Sequence, residues 1–207
     1  SLTSQLLAGE VVSVMDGRGD WLQVRGIDGY EGWTHAGYLM PSSGGESTWR
    51  LSLGCVIRDV LGTVRQLPLG ARIAPGAEVS SGAALDAALR DSQFPTNADA
   101  LARSAESRFT GASYQWGGVT PWGCDCSGFV QRIFALHGVQ LPRDAWQQAQ
   151  VGTAVSDDAS DEHAPGDLLF FSDREDLRVT HVAIALPGHR MVHSALMRGG
   201  IAVEQLH

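Results

Sequence analysis

The stretch Trp122-Gly-Cys-Asp-Cys-Ser-Gly-Phe-Val-Gln131 decides how the second half of the chain folds. Glycines crowd its approach. The pattern then turns apolar with helical spacing: Phe129, Val130, Ile133 and Phe134 are the residues to bury, and Gly138 supplies the stop. This spacing predicts a helix over 126–137 with Asp125 as its N-cap. Cys126 therefore opens the helix. A cysteine attacks as the thiolate, and a free thiol titrates near about 8.5, so a nucleophilic cysteine needs a device that lowers that value. A helix N-terminus is one such device and a neighbouring imidazolium is another. Unpaired backbone N–H groups at the same place can hold a developing oxyanion.

The second device needs a histidine, and His181 and His193 are the candidates. His181 alternates with Ala183 and Ala185, while Val182, Ile184 and Leu186 take the other face of a strand. Small residues beside a histidine leave room for a substrate or partner. Pro187-Gly188 turns the chain back. If Leu186-Pro187-Gly188 form a three-residue loop, His181 lies directly opposite His193, with Cβ atoms about 5 Å apart. A two-residue loop puts the histidines on opposite faces. In the first register His181 is the base, and His193 orients its ring through the other nitrogen. Against this, a cysteine at a helix start is more often structural than catalytic, and histidines near a strand turn are usually surface residues. The loop, the helix start and the histidine pair together favour chemistry over packing.

Working outward, Ala98, Leu101, Ala102, Ala105 and Phe109 mark one face of an earlier helix. Thr96 or Asn97 can cap it, and Gly111 lies just past its end. A short helix follows Asp144, and then come strands over 167–172, 179–186, 190–195 and 200–206. Helices followed by a run of strands predict an α+β domain over 91–207 with a central antiparallel sheet. The first part of the chain is different. Glu10-Val-Val-Ser-Val-Met15, Trp21-Leu-Gln-Val-Arg25 and Glu31-Gly-Trp-Thr-His35 are short strands parted by turns at Gly17-Arg-Gly-Asp20 and Asp28-Gly29. They predict a small all-β barrel over 1–45. Pro41-Ser-Ser-Gly-Gly45 reads as a linker. Residues 46–90 return to strands, and Leu67-Pro-Leu-Gly70 faintly echoes Leu6-Leu-Ala-Gly9, so this part reads as a degenerate second barrel or linker.

Composition narrows the function. The 207 residues are 43% hydrophobic and 18% charged, an ordinary globular profile. The net charge of −8 argues against nucleic acid and against an anionic membrane surface. All 15 basic residues are arginine, which excludes lysine chemistry such as a Schiff base. Three cysteines are too few for a disulfide scaffold. No apolar run suits a membrane span. No signal peptide is visible, so the expected place is the cell envelope or outside if a leader was removed, and otherwise cytoplasmic peptide recycling. No cofactor or metal is expected, and a monomer is.

At this point the residues resemble the NlpC family of cell-wall cysteine peptidases. The resemblance covers 97–207 and rests on six ordered blocks: Ser113-Tyr-Gln-Trp-Gly-Gly118, Asp125-Cys-Ser-Gly-Phe-Val130, Leu141-Pro-Arg-Asp144, Pro165-Gly-Asp-Leu168 with Phe170-Phe171, Thr180-His-Val-Ala-Ile184 and Val192-His-Ser194. It implies a papain-like core with Cys126 as nucleophile, His181 as base and His193 as third member. It implies Tyr114 beside the nucleophile, and Trp116, Asp125 and Ser127 in the substrate groove. The implied substrate is a peptidoglycan stem peptide or released murein peptide, cut between γ-D-glutamate and a diamino acid (diaminopimelate or lysine). Gly19-Asp-Trp-Leu-Gln-Val-Arg25 and Gly29-Tyr-Glu-Gly-Trp33 are similar to bacterial SH3-like modules. In relatives of this layout the barrel walls off one end of the groove and favours a free N-terminal L-alanine. Tyr38 or Tyr30 would then contact that end.

Other residues carry plainer readings. Ala145 stands where many relatives have Ser or Thr. Cys124 is expected to be a passive thiol, with a disulfide or sulfenate trap as its alternative. Cys55 reads as a buried hydrophobe. His35, His137, His163, His189 and His207 read as surface residues, and Trp21 and Trp33 as barrel core. Asp157-Asp-Ala-Ser-Asp-Glu162 reads as a solvated acidic loop rather than a calcium site. Three functions compete with hydrolysis: wall binding by a dead peptidase domain, acyl transfer from the same thiol, and a zinc site built from Cys124, Cys126, His181 and His193. The Cys-x-Cys pair is tighter than structural zinc usually takes.

Overall fold

The apolar periods that mark the helices and the alternation that marks the strands resolve into 13 strands and four α-helices in a computed structural model describing residues 2–42, 49–155 and 163–206. The linker read at 41–45 lies partly outside the described residues, and the acidic run 157–162 and His207 lie wholly outside them. The described chain forms two compact units, one of residues 5–90 and one of residues 2–4 with 91–206.

The 5–90 unit is all β. Strands β1 (Ser13–Arg18), β2 (Trp21–Arg25) and β3 (Glu31–His35) form an antiparallel meander with a bulge between Val14 and Asp16. Strands β4 (Arg50–Arg58), β5 (Val64–Leu67), β6 (Arg72–Ile73) and β7 (Glu78–Asp86) form a second antiparallel sheet, in which β4 pairs with all three others. Leu7, Val24, Leu51, Cys55, Ile57, Leu67, Leu69 and Ile73 are buried. Trp21 and Trp33 are not core, contrary to the sequence reading: they are 52% and 40% exposed. Trp21 meets the edge of His35, and the Arg18 guanidinium covers Trp33. Small domains cannot hide every large ring, and these two settle against polar neighbours at the surface.

The second unit is α+β. After the helical turn α1 (Arg90–Gln93), α2 (Ala98–Ser107) starts at Asn97, whose side chain accepts the Ala100 N–H. Strands β8 (Val119–Thr120) and β9 (Gly123–Cys124) make a small hairpin. Helix α3 (Cys126–Leu136) buries Phe129, Val130 and Ile133 completely, and Phe129 meets Phe109 edge to face. A short α4 (Ala145–Gln148) begins after Asp144 with a capping box. Strands β10 (Leu168–Phe171), β11 (His181–Leu186), β12 (Arg190–Ala195) and β13 (Gly200–Gln205) form one antiparallel sheet in chain order. Helix α3 packs against β11 and β12, with Val182, Ile184 and Val192 fully buried. His137 is not at the surface either. It is 1% exposed and its ring bridges the Pro95 carbonyl at 2.8 Å and the Ser104 hydroxyl at 2.9 Å. Its partners lie more than 30 residues upstream, out of reach of any local pattern.

Candidate active site

Helix α3 begins where the sequence predicts, and Asp125 is its cap: its Oδ1 accepts the Gly128 N–H at 2.7 Å. The other oxygen accepts the Gly117 N–H at 2.8 Å, so one carboxylate ties the glycine loop to the helix. Gly128 lets the two approach. A Cβ there would sit 2.2 Å from the Gly118 carbonyl oxygen, well inside any tolerated contact. Arg143 completes the arrangement, donating to Asp125 through two nitrogens at 3.0 and 2.7 Å, to Ser127 Oγ at 2.9 Å and to Ser4 Oγ at 3.1 Å. Its guanidinium is the counter-charge for a carboxylate buried beside the thiol. Asp125 and Ser127 are 8% and 6% exposed, with their oxygens held in this network. Local sequence gives Arg143 no sign of this role, because it reaches back 18 residues to Asp125.

Cys126 is 8% exposed. Its sulfur meets the backbone N–H groups of Ser127 and of Val182, the residue after His181. The helix start was expected to lower the thiol's titration point. Instead burial, followed by the nearby Asp125 charge, raises it, and the two N–H groups and Arg143 offset only part of that. Tyr114 lies close enough to feel the thiol's charge, and burial first, then Cys126, pushes its phenol up to about 12, so it stays a neutral O–H donor. Trp116, in the same loop, is 68% exposed. Tyr30 and Tyr38 belong to the 5–90 unit, where Tyr38 is 86% exposed and Tyr30 is partly covered.

The two histidines do meet, in a register other than the one expected. Strands β11 and β12 pair Ile184 with Val192 and Leu186 with Arg190, so the loop is Pro187-Gly188-His189 rather than Leu186-Pro187-Gly188. Gly188 and His189 both take positive φ, which that turn requires. Continued, this register sets His193 opposite Ala183 and diagonal to His181. A shift of two keeps both rings on one face, and their length closes the gap: His181 Nε2 lies 2.7 Å from His193 Nδ1. Burial, then the neighbouring His193, holds His181 down to about 4, so its ring is neutral at pH 7. Beyond it, His193 Nε2 approaches Glu204 Oε2 at 2.8 Å, at an angle that falls short of a hydrogen bond, and Glu204 is paired with Arg198. No motif singled out Glu204 or Arg198. Glu204's place follows from the β12–β13 register, in which His193 faces Ala202 and Glu204 is two residues further along the same face, and Arg198 lies in the turn between the two strands.

Cys124 is fully buried, and burial pushes its thiol up to about 12. Its carbonyl accepts the Ser194 hydroxyl at 2.7 Å. Cys55, Cys124 and Cys126 are all free thiols. Among the described residues, no group of three or more His, Cys, Asp or Glu side chains could hold a metal ion. No helix among them is long and apolar enough to cross a membrane.

A helix-borne thiol thus meets a four-stranded sheet at the residue after a paired histidine. Residues 111–207 match the NlpC/P60 family and residues 1–40 match the bacterial SH3 domain. A probable endopeptidase of Haemophilus influenzae is 32% identical over 114 residues, which are 55% of this chain and 68% of that protein. The chain belongs to the NlpC/P60 family. Two NlpC/P60 relatives bear the name gamma-D-glutamyl-L-lysine dipeptidyl-peptidase. The Bacillus subtilis protein is 42% identical over 42% of this chain, which spans 28% of its length. The Bacillus cereus protein is 28% identical over the whole of this chain, which spans 71% of its length. The solved structure of an NlpC/P60 family protein from Bacillus cereus shares the fold, with a TM-score of 0.81 at 23% identity over 98% of this chain and 76% of that one.

Proposed function

We propose that this chain is a thiol peptidase that hydrolyses peptidoglycan stem peptides between γ-D-glutamate and a diamino acid, with Cys126 as nucleophile, His181 as base and His193 as the residue that orients it. One observation carries the reading. The Cys126 thiol opens α3 against the Val182 N–H, next in the chain to a histidine whose far nitrogen is bonded to a second, buried histidine. The bond itself is proposed from the relatives named for γ-D-glutamyl-L-lysine.

The site rests as a neutral pair, because burial raises the thiol and lowers the imidazole. Attack of Sγ on the amide carbon is therefore coupled to transfer of the thiol proton to His181 Nδ1. His181 then returns that proton to the leaving amine, and water hydrolyses the thioester with the same base. The N–H groups at the start of α3 and the un-ionised Tyr114 hydroxyl are the donors available to the developing oxyanion. Asp125 and Arg143 hold the nucleophile's helix turn in place.

The test uses L-Ala-γ-D-Glu-L-Lys and the diaminopimelate counterpart, with free and with acetylated N-termini, and reads products by mass. The expected product is the L-Ala-D-Glu dipeptide, released by wild type and not by Cys126→Ala. Turnover that survives Cys126→Ala would sink the enzyme reading. Equal cleavage of the acetylated peptides would refute a requirement for the free L-alanine end.

A further inference from the structure

We propose that Glu204 is a positioning residue of this site: its carboxylate, clamped by Arg198, holds the buried His193 ring with Nε2 protonated, and so presents His181 with Nδ1 free to take the thiol proton. This rests on the reading of Cys126 and His181 as nucleophile and base.

His181 Nε2 and His193 Nδ1 are 2.7 Å apart, so one of them carries the shared proton and the other accepts it. If His193 held its proton on Nδ1, His181 Nε2 would be the acceptor, its own proton would sit on Nδ1, and it could not receive one from sulfur. The productive arrangement has His193 protonated on Nε2. That nitrogen is buried, and among the described groups it has no hydrogen-bond acceptor in line. Glu204 Oε2 lies at contact distance from it, 2.8 Å away. An anion there favours the tautomer whose hydrogen points toward it, and it favours a positive charge on the paired rings.

The plainer view makes Glu204–Arg198 a surface ion pair. Arg198's side chain is 59% exposed, and such exposed pairs contribute little to stability. Three observations argue for more. The carboxylate leans on a ring whose side chain is only 7% exposed. Ala202, the residue facing His193, is small enough to let a side chain two positions on reach across. Glu204's first influence is the Arg198 hydrogen bond, which keeps the carboxyl below its ordinary range and so charged across the working pH. The charged groups that act on the pair are Glu204 from β13 with Arg198 behind it; Cys126 of α3 meets the Val182 N–H, one residue past His181, and Phe171 of β10, with its ring centroid 6.0 Å from that of His181, is apolar.

Two measurements test this. In the wild-type protein, ¹⁵N spectra of the imidazole nitrogens near pH 7 should show His193 protonated on Nε2. A His193 protonated on Nδ1 overturns the proposal, and this readout needs no variant. In Glu204→Gln, kcat should fall by about tenfold while KM changes less than about twofold. The acid limb of kcat/KM should move to lower pH, because His181 loses support for its charged form. A folded Glu204→Gln protein with wild-type kcat and an unmoved limb overturns it equally. A wild-type protein that cleaves no stem peptide would instead sink the peptidase reading, and leaves the tautomer measurement as the judge of Glu204.

Discussion

The Cys126 thiol and the Arg143 guanidinium show how burial decides what a residue can do. Both sit beside Asp125, and both depend on its charge being balanced. With burial raising the thiol, alkylation of Cys126 by iodoacetamide in the free protein should accelerate only above the pH at which an ordinary cysteine reacts, because the rate follows the thiolate fraction. A rate–pH profile already flat at pH 8 would contradict a neutral resting pair. Cys124, held up to about 12, should stay unlabelled in the folded protein. Arg143 offers a stability test at the same place. Its side chain is 1% exposed and its two bonds to Asp125 are bidentate. Arg143→Ala leaves a buried carboxylate without its partner, which typically costs about 3–5 kcal/mol. Arg143→Lys should recover only part of that, since an ammonium cannot span both oxygens. Urea midpoints of the three proteins measure it, and a midpoint for Arg143→Ala within error of wild type would mean the pair is structurally idle.

At the scale of elements, the glycine loop and α3 form a single device. Gly128 lies in the first turn of α3, where alanine is intrinsically the better helix former by about 1 kcal/mol. Propensity alone would predict a stabilised Gly128→Ala protein. The 2.2 Å approach of a Cβ to the Gly118 carbonyl predicts the reverse, because that oxygen belongs to backbone and cannot swing aside. The variant should melt below wild type and lose most of its activity; a raised melting temperature would show that the loop gives way freely. Much of this element was legible in advance. The helical period after Cys126, the Asp125 cap and the strands at 181–186 and 190–195 all follow from local spacing. The histidine register was not, because Pro187-Gly188 fits a loop starting at either Leu186 or Pro187, and only His189's left-handed backbone selects the second. Glu204, Arg143 and the burial of His137 were illegible for a common reason. Each is defined by a partner brought close by tertiary packing, at separations no periodicity encodes.

Across the whole molecule, two histidines should set how the protein tolerates acid. His181 and His137 are both kept neutral by burial: the first is held down to about 4, and the second lies below its ordinary value. An unfolded histidine titrates near about 6.5. Below that pH the unfolded chain takes up protons that these two folded sites refuse, so stability is full above about 6.5 and falls as the pH drops toward 4. For His181 the loss approaches roughly 3 kcal/mol by pH 4, since it is held down to about 4. Glu204 limits it, because any positive charge that does enter the histidine pair has a carboxylate to face, whereas His193 adds to it. His137 has none: its ring nitrogens meet the neutral Pro95 carbonyl and Ser104 hydroxyl, and the charges that act on it, Arg108 and Arg103, oppose protonation. Thermal melts from pH 7.5 to 4 should therefore fall steadily below about pH 6.5. His137→Gln, which keeps a donor and an acceptor without a titrating ring, should melt lower at pH 7.5 and decline less steeply as the pH falls. A decline as steep as wild type's would assign acid lability to the site histidines alone.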